Sequence, residues 1–241
     1  MADINGTAGN DVLKGSSQAD RIHGMAGNDI LVGGNGIDSL FGDEGNDTLW
    51  TLHNIDTIDG GPGLDTAAFY RPWGDHTIVR TAAGFEVLDA DSNAQYFGIE
   101  RFQFPDTKLA FDLALGEAAG NTVRVIGAAF DAPAIRQHPD WVGIGLQLFD
   151  SGQTLAQVCE MVAQILSLSP ADFVSTVYRN VVGVAPDAAT AAPFVALLQG
   201  GMTQGQLLEM AAGVDLNDSQ ISLVGLLETG VEFLGPNAPP P

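Results

Sequence analysis

Basic residues are scarce in this chain. Nine Lys+Arg stand against 30 Asp+Glu over 241 residues, a formal net charge of −21, and Lys14 and Lys108 are the only lysines. Phosphate recognition needs a basic footprint, so this balance excludes a nucleic-acid binder. It also argues against docking on anionic lipid. Cysteine occurs once, as Cys159, which excludes an internal disulfide framework and any multi-cysteine metal site. No apolar run reaches the ~18 residues that a membrane span needs. The first residues, Met1-Ala-Asp-Ile-Asn-Gly, have neither a basic n-region nor an apolar h-region, so no Sec-type signal peptide is expected. Catalytic signatures are missing as well: there is no H-E-x-x-H, no G-x-S-x-G and no G-x-x-x-x-G-K loop. What the chain has in excess is glycine, 30 residues, beside a 45% hydrophobic fraction large enough for a sizeable core.

The glycine and acid excess has a local source. Cut in nines from Gly6, the chain reads GTAGNDVLK, GSSQADRIH, GMAGNDILV, GGNGIDSLF, GDEGNDTLW, TLHNIDTID and GGPGLDTAA. The sixth column is always Asp: Asp11, Asp20, Asp29, Asp38, Asp47, Asp56 and Asp65. The eighth is always apolar: Leu13, Ile22, Leu31, Leu40, Leu49, Ile58 and Ala67. Glycine lets the backbone turn with positive φ and aim its carbonyls into the loop. The three residues after each Asp have strand character, with the eighth-column side chain turned inward. Each nonapeptide is thus a turn plus a short strand, and two make one coil of a parallel β-roll. Repeats one coil apart, 18 residues in sequence, then lie about 4.8 Å apart along the sheet. Aspartates stacked at that spacing repel unless a cation lies between them, and a flexible cage of six or more oxygens selects Ca²⁺ over Mg²⁺.

This pattern resembles the RTX (repeats-in-toxin) nonapeptide GGxGxDxUx, a calcium-binding β-helix repeat, over residues 6–68. The resemblance implies a Ca²⁺ between loops one coil apart. The lower loop gives the carbonyls of columns two and four and its Asp; the upper gives those of columns one and three and its Asp. On the edge formed by the odd-numbered repeats it implies three sites. These are Thr7, Gly9 and Asp11 with Gly24, Ala26 and Asp29; Met25, Gly27 and Asp29 with Gly42, Glu44 and Asp47; and Asp43, Gly45 and Asp47 with Gly60, Pro62 and Asp65. On the even edge it implies up to two: Ser16, Gln18 and Asp20 with Gly33, Asn35 and Asp38; and Gly34, Gly36 and Asp38 with Thr51, His53 and Asp56. Repeats 2 and 6 have lost most loop glycines, so the even edge is expected to bind more weakly. Asp43 and Glu44 should raise odd-edge affinity through charge. His23 and His53 read as loop or strand residues rather than metal ligands.

Beyond Ala68 the nonapeptide stops. Strands are expected at Thr77–Arg80, Phe85–Leu88, Ile99–Phe104 and Leu109–Leu113, with turns at 72–74, 83–84, 91–93 and 105–106. In this β extension, residues 69–115, the stretch Phe85–Leu113 resembles the short β segment that often follows an RTX array and is expected to cap the open sheet edge. Ninth-column Val32, Phe41 and Trp50 should face outward, either beneath that cap or as a partner patch. From Gly116 the spacing turns helical, with helices expected at 121–130, 139–149, 153–167, 170–182, 187–199, 203–213 and 218–233. Residues 150–161 align with 199–210 at an offset of 49, and Pro139-Asp140 matches Pro186-Asp187 at an offset of 47. This is a tandem repeat, in which Cys159 aligns with Leu208 and reads as a buried apolar residue. Through Tyr178–Asp187 and Leu226–Phe233, the chain over roughly residues 120–234 resembles a helical domain of unknown function that follows RTX arrays in secreted bacterial proteins. The tail from Pro236 is expected to be disordered.

The fold class expected is therefore α+β in several parts. Residues 1–68 form a parallel β-roll, 69–115 a β extension, and 116–241 an all-α tandem-repeat domain. The resemblance implies a secreted bacterial calcium-binding protein, exported unfolded by a type I system and folding on Ca²⁺ outside. Its role would be structural, adhesive or in assembly at the cell surface or extracellular matrix. The partner would be a protein, a glycan or a second copy, engaged through the helical domain. No catalytic residue is assigned. The alternatives are an enzyme acting on extracellular polysaccharide and an accessory subunit of a surface complex.

Overall fold

The computed structural model describes residues 1–52, 54–90 and 92–235. His53, Asp91 of the expected 91–93 turn, and the tail from Pro236 lie outside the described residues. Contacts divide the chain into two units, Met1–Ala110 and Phe111–Gly235.

Three residues are too few for a strand to stand alone, so each strand of the first unit depends on its neighbours one coil away. The strands are β1 (Asp3–Asn5), β2 (Val12–Lys14), β3 (Arg21–His23), β4 (Ile30–Val32), β5 (Ser39–Phe41), β6 (Thr48–Thr51), β7 (Thr57–Asp59) and β8 (Thr66–Phe69). They alternate between two sheets. One stacks β1, β3, β5 and β7 in parallel, with Ile4, Ile22, Leu40 and Ile58 in register. The other stacks β2, β4, β6 and β8, with Leu13, Leu31, Leu49 and Ala67 in register. The 18-residue offset places every eighth-column side chain on the next, and from Ile22 onward all six are fully buried. Leu13 and Ile4, at the start of the stack, are only half-buried. A strand of the roll lies ahead of the first nonapeptide, with Ile4 in an eighth-column position against Ile22.

The extension supplies the next rung of both sheets. Strands β9 (Thr77–Arg80), β10 (Phe85–Leu88) and β11 (Asn93–Phe97) pair antiparallel, and β11 then pairs parallel with β7, Tyr96 against Ile58. Strand β12 (Arg101–Gln103) pairs parallel with β8, Phe102 against Ala67, and antiparallel with β13 (Lys108–Ala110). Aromatic rings fill the end of the roll. Phe69 stacks on Phe104 at 4.6 Å, Tyr96 and Phe102 lie 5.8 Å apart, and the Tyr96 and Thr51 hydroxyls meet at 3.0 Å.

Several expectations need correcting here. Residue 93 begins a strand rather than ending a turn, because Ala94 and Tyr96 alternate into the core while Asn93 and Gln95 face out. The expected 99–104 strand shrinks to 101–103, since Gly98-Ile99-Glu100 makes the corner between the two sheets. The expected 109–113 strand is found at 108–110. Of the ninth-column residues, Trp50 lies beneath the extension: it is 3% exposed and packs on Tyr70 at 4.8 Å. Phe41 is half-buried and covered by strand neighbours, with His23 stacked at 4.5 Å and the Arg21 guanidinium at 4.7 Å.

The second unit holds nine helices among the described residues. These are α1 (Ala118–Ala129), α2 (Ala132–Gln137), α3 (Pro139–Asp150), α4 (Leu155–Leu166), α5 (Pro170–Val182), α6 (Ala188–Gln199), α7 (Gln204–Ala212), α8 (Asp215–Gln220) and α9 (Leu223–Thr229), followed by β14 (Val231–Glu232). Helix α1 is buried on nearly every side, and its Arg124 forms an ion pair with Asp218 at 2.7 Å. The duplication has a structural counterpart in the starts of α4 and α7. Both carry a capping box, Thr154 with Gln157 and Thr203 with Gln206. Cys159 and Leu208, the aligned pair, are both fully buried in one core, and burial pushes the Cys159 thiol up to about 12. The expected helix over 218–233 is broken: α8 stops before Ser222, which takes a left-handed φ of 55°, and the chain becomes extended after Gly230. Helix α2 had no periodic signal.

Candidate metal centre

The sixth-column aspartates form two ladders of hydrogen bonds. The Asp11 amide donates to Asp29 Oδ1 at 2.7 Å, Asp29 to Asp47 at 2.7 Å, and Asp47 to Asp65 at 2.8 Å. On the even edge Asp20 donates to Asp38 Oδ1 at 2.8 Å and Asp38 to Asp56 at 2.9 Å. One carboxylate oxygen of each receiving residue is thus engaged by the backbone of the coil before it. The other is a different matter. Oδ2 of Asp29, Asp38, Asp47 and Asp65 is buried and has no hydrogen-bond partner. An unpartnered buried acceptor is costly, and here four recur at equivalent positions of the repeat.

Each of these oxygens faces a cradle kept open by glycine. A Cβ added to Gly24 would fall on Asp29 Oδ2 and close to the Gly42 carbonyl oxygen. At Gly42 it would fall on Asp47 Oδ2 and the Gly60 carbonyl, and at Gly33 it would lie 2.7 Å from Asp38 Oδ2. The loop backbone is set by second-column residues in the left-handed region: Met25 at 81°, Gly34 at 95°, Asp43 at 64° and Gly61 at 93°. Met25 and Asp43 hold that conformation without glycine's freedom. The carbonyls of Met25, Glu44 and Pro62 accept amides from facing loops, Glu44, Gly27 and Gly45 respectively, at 2.8–3.1 Å. Each retains a second lone pair. Among the described residues no three His, Cys, Asp or Glu side chains converge. A cage here draws two carboxylates per site and completes itself with main-chain oxygens, a donor set suited to a hard cation.

Burial sets the electrostatics. Desolvation raises the Asp29 and Asp38 carboxyls above their ordinary value, and pushes Asp47 up to about 6 and Asp56 and Asp65 up to about 7. The neighbouring aspartates on the ladder add to each rise. A cation reverses both effects at once, so the residues fit the group the loops imply.

The first loop on each edge is built differently. Oδ2 of Asp11 accepts the Thr7 amide at 2.6 Å and its hydroxyl at 2.8 Å. Asp20 Oδ2 accepts the Ser16 amide and hydroxyl, both at 2.7 Å, and the Ser16 hydroxyl leads the groups that lower the Asp20 carboxyl. The loop geometry is otherwise the same, since a Cβ at Gly6 would fall on the Gly24 carbonyl and lie 2.9 Å from Asp11 Oδ2, and one at Gly15 would fall on the Gly33 carbonyl and lie 3.2 Å from Asp20 Oδ2; what differs is that a second-column hydroxyl already engages the carboxylate. A hydroxyl in the second column was the readable sign.

The two edges also differ outside the carboxylates. On the odd edge the fifth column is a second ladder: Asn28 donates to Asn10 Oδ1 at 2.8 Å, Asn46 to Asn28 at 2.9 Å and Leu64 to Asn46 at 3.0 Å. The even edge has Ala19, Ile37 and Ile55 in that column. His23 stands outside every cage. Its Nε2 accepts from Arg21 Nε at 3.0 Å, so Nδ1 carries the proton and donates to Asp43 Oδ2 at 2.9 Å. The Asp43 side chain thereby points toward sheet rather than cradle, while its carbonyl faces Gly61.

The family model of the RTX calcium-binding nonapeptide repeat (4 copies) matches residues 5–40 and again 32–67. Residues 5–67 are thus RTX calcium-binding repeats, of a kind typical of secreted proteins. No curated protein matches the chain, and no helix among the described residues is long and apolar enough to cross a membrane.

Proposed function

We propose that this chain, with RTX repeats over residues 5–67, is a non-catalytic secreted protein whose roll folds on calcium outside the cell and serves a surface or matrix assembly. The observation that carries this reading is the set of four buried aspartate oxygens without partners, three of which (Asp29, Asp47 and Asp65) lie beside a carbonyl of the facing loop. Residues 1–68 hold 11 acidic and 2 basic residues, so the roll repels itself in a calcium-poor cytosol. Bound calcium supplies positive charge and oxygen coordination, and where the site exists only in the fold, binding free energy is folding free energy. At millimolar calcium and affinities near 10⁻⁴ M, each site contributes about 1.5 kcal/mol. Such a protein suits export in the unfolded state through a type I system.

The sites proposed are Asp29 with Asp47, Asp47 with Asp65, and Asp38 with Asp56. The hydroxyl-closed first loops at Asp11 and Asp20 bind more weakly than these. The helical unit is the proposed contact to a partner. It holds a cavity of about 280 Å³ between α5, α6, α7 and α8, walled by Val177, Val181, Phe194, Leu207 and Leu216 among others. An apolar wall of this kind favours a protein or a second copy over a glycan.

Light scattering on the whole chain in calcium and in chelator tests the role. A rise in mass with calcium supports a self-assembling component, and constant mass with calcium bound points to an accessory subunit. Turnover on a polysaccharide panel would overturn the non-catalytic reading.

A further inference from the structure

We infer that the roll has one more cation site past the last nonapeptide, made by Asp65 and Glu100 with the carbonyls of Gly61 and Gly98, and that it takes calcium. The inference rests on the calcium reading above and extends it past the last nonapeptide.

Register assigns the roles. First-column amides donate to ninth-column carbonyls of the next coil: Gly24 to Phe41 at 2.9 Å and Gly42 to Asp59 at 2.8 Å. Gly60 donates to Phe97 at 2.9 Å, which puts Gly98 in a first-column position. Seventh-column amides donate to the Asp carbonyl below: Thr66 to Asp47 at 2.8 Å, and likewise Arg101 to Asp65 at 3.0 Å. Glu100 therefore stands where the sixth-column Asp belongs. It also makes that residue's bond, with Oε2 accepting the Asp65 amide at 2.8 Å. Only Ile99 separates Gly98 from Glu100, where a repeat has four residues. The extra methylene of glutamate lets the carboxylate reach across the shortened loop.

The cradle matches those within the array. A Cβ at Gly60 would fall on the Gly98 carbonyl and lie 2.6 Å from Asp65 Oδ2, as one at Gly24 meets Gly42 and Asp29. Asp65 is fully buried and its Oδ2 has no partner, although no repeat follows to claim it. Gly61 holds the left-handed loop conformation at 93°. The short loop lacks a third-column carbonyl, so protein oxygens are fewer here and water completes a shell of the 6–8 oxygens calcium prefers.

Calorimetric titration of the whole chain with calcium tests this, using wild type, Glu100→Gln and Glu86→Gln. Gln keeps an acceptor for the Asp65 amide but removes the charge, so a purely capping Glu100 would leave binding unchanged. The expected result is one calcium fewer, or one site weakened about tenfold or more, in E100Q alone. Unchanged stoichiometry and affinity in E100Q overturns the site, as does an equal loss in E86Q. If E100Q fails to compact in calcium, tenfold more calcium should restore it, and no rescue overturns the assignment. No calcium bound by wild type overturns the calcium reading itself, which is a different failure.

Discussion

In the proposed arrangement single aspartates carry unequal weight because they sit in unequal numbers of cages. Asp47 belongs to two, shared with Asp29 and with Asp65, whereas Asp11 has its Oδ2 engaged by Thr7. In a circular-dichroism titration, Asp47→Asn should raise the calcium midpoint about tenfold or more, and Asp11→Asn by much less. Equal shifts would contradict the site assignment. Protons compete at the same oxygens. Asp47 titrates near 6 and Asp56 and Asp65 near 7 in the calcium-free fold, against 3.8 ordinarily. Between those values the fold holds more protons than the unfolded chain, so its stability falls as pH rises. This contribution is fully present below about 4 and lost as pH passes through 6 to 7. In chelator, the roll should therefore be better formed at pH 5 than at pH 8, and calcium should bind more weakly at pH 5. Greater order at pH 8 without calcium would be the contrary result.

Elements divide into those whose spacing is their register and those whose partners come from elsewhere. The roll is of the first kind. A fixed period of 18 residues both places Leu31 on Leu49 and aligns Asp29 with Asp47, so strand pairing and the aspartate ladder were readable together. The extension is of the second kind. Strand β11 has only Ala94 and Tyr96 as an alternating signal, and Glu100 reaches its position through a corner that no repeat spacing announces. Trp50, in the ninth column, faces out of the roll and is covered by the aromatic extension, the first of the two placements its column allowed. In the helical unit, the capping boxes at Thr154 and Thr203 were legible as an offset of 49, while the left-handed break at Ser222 left no mark in the pattern. Gly42→Ala tests the loop element directly. Its Cβ would occupy the cradle at Asp47 and Gly60, so the calcium-induced change should be lost or need far higher calcium. Gly74→Ala, where a Cβ meets nothing within 4 Å, should behave like wild type. Cys159, fully buried with its thiol pushed up to about 12, should resist thiol reagents until the helical unit unfolds.

At the scale of the whole molecule, the two units draw stability from different sources. The helical unit has its own apolar core of Val, Leu and Phe side chains around Cys159 and should keep its helical signal in chelator. The roll buries one aliphatic residue per strand and gathers acidic side chains along both edges, so on the proposed reading calcium decides whether it forms. Thermal unfolding of the full chain should show two transitions, only one of which moves with calcium. The central claim, that calcium folds the roll, is tested most directly by the hydrodynamic radius of the whole chain at pH 7.5 in chelator and in ~2 mM calcium, within the affinity range of extracellular sites. The account predicts an expanded particle in chelator and a compact one in calcium, with added β-signal and unchanged helical signal. The same radius and the same spectrum in both would contradict it.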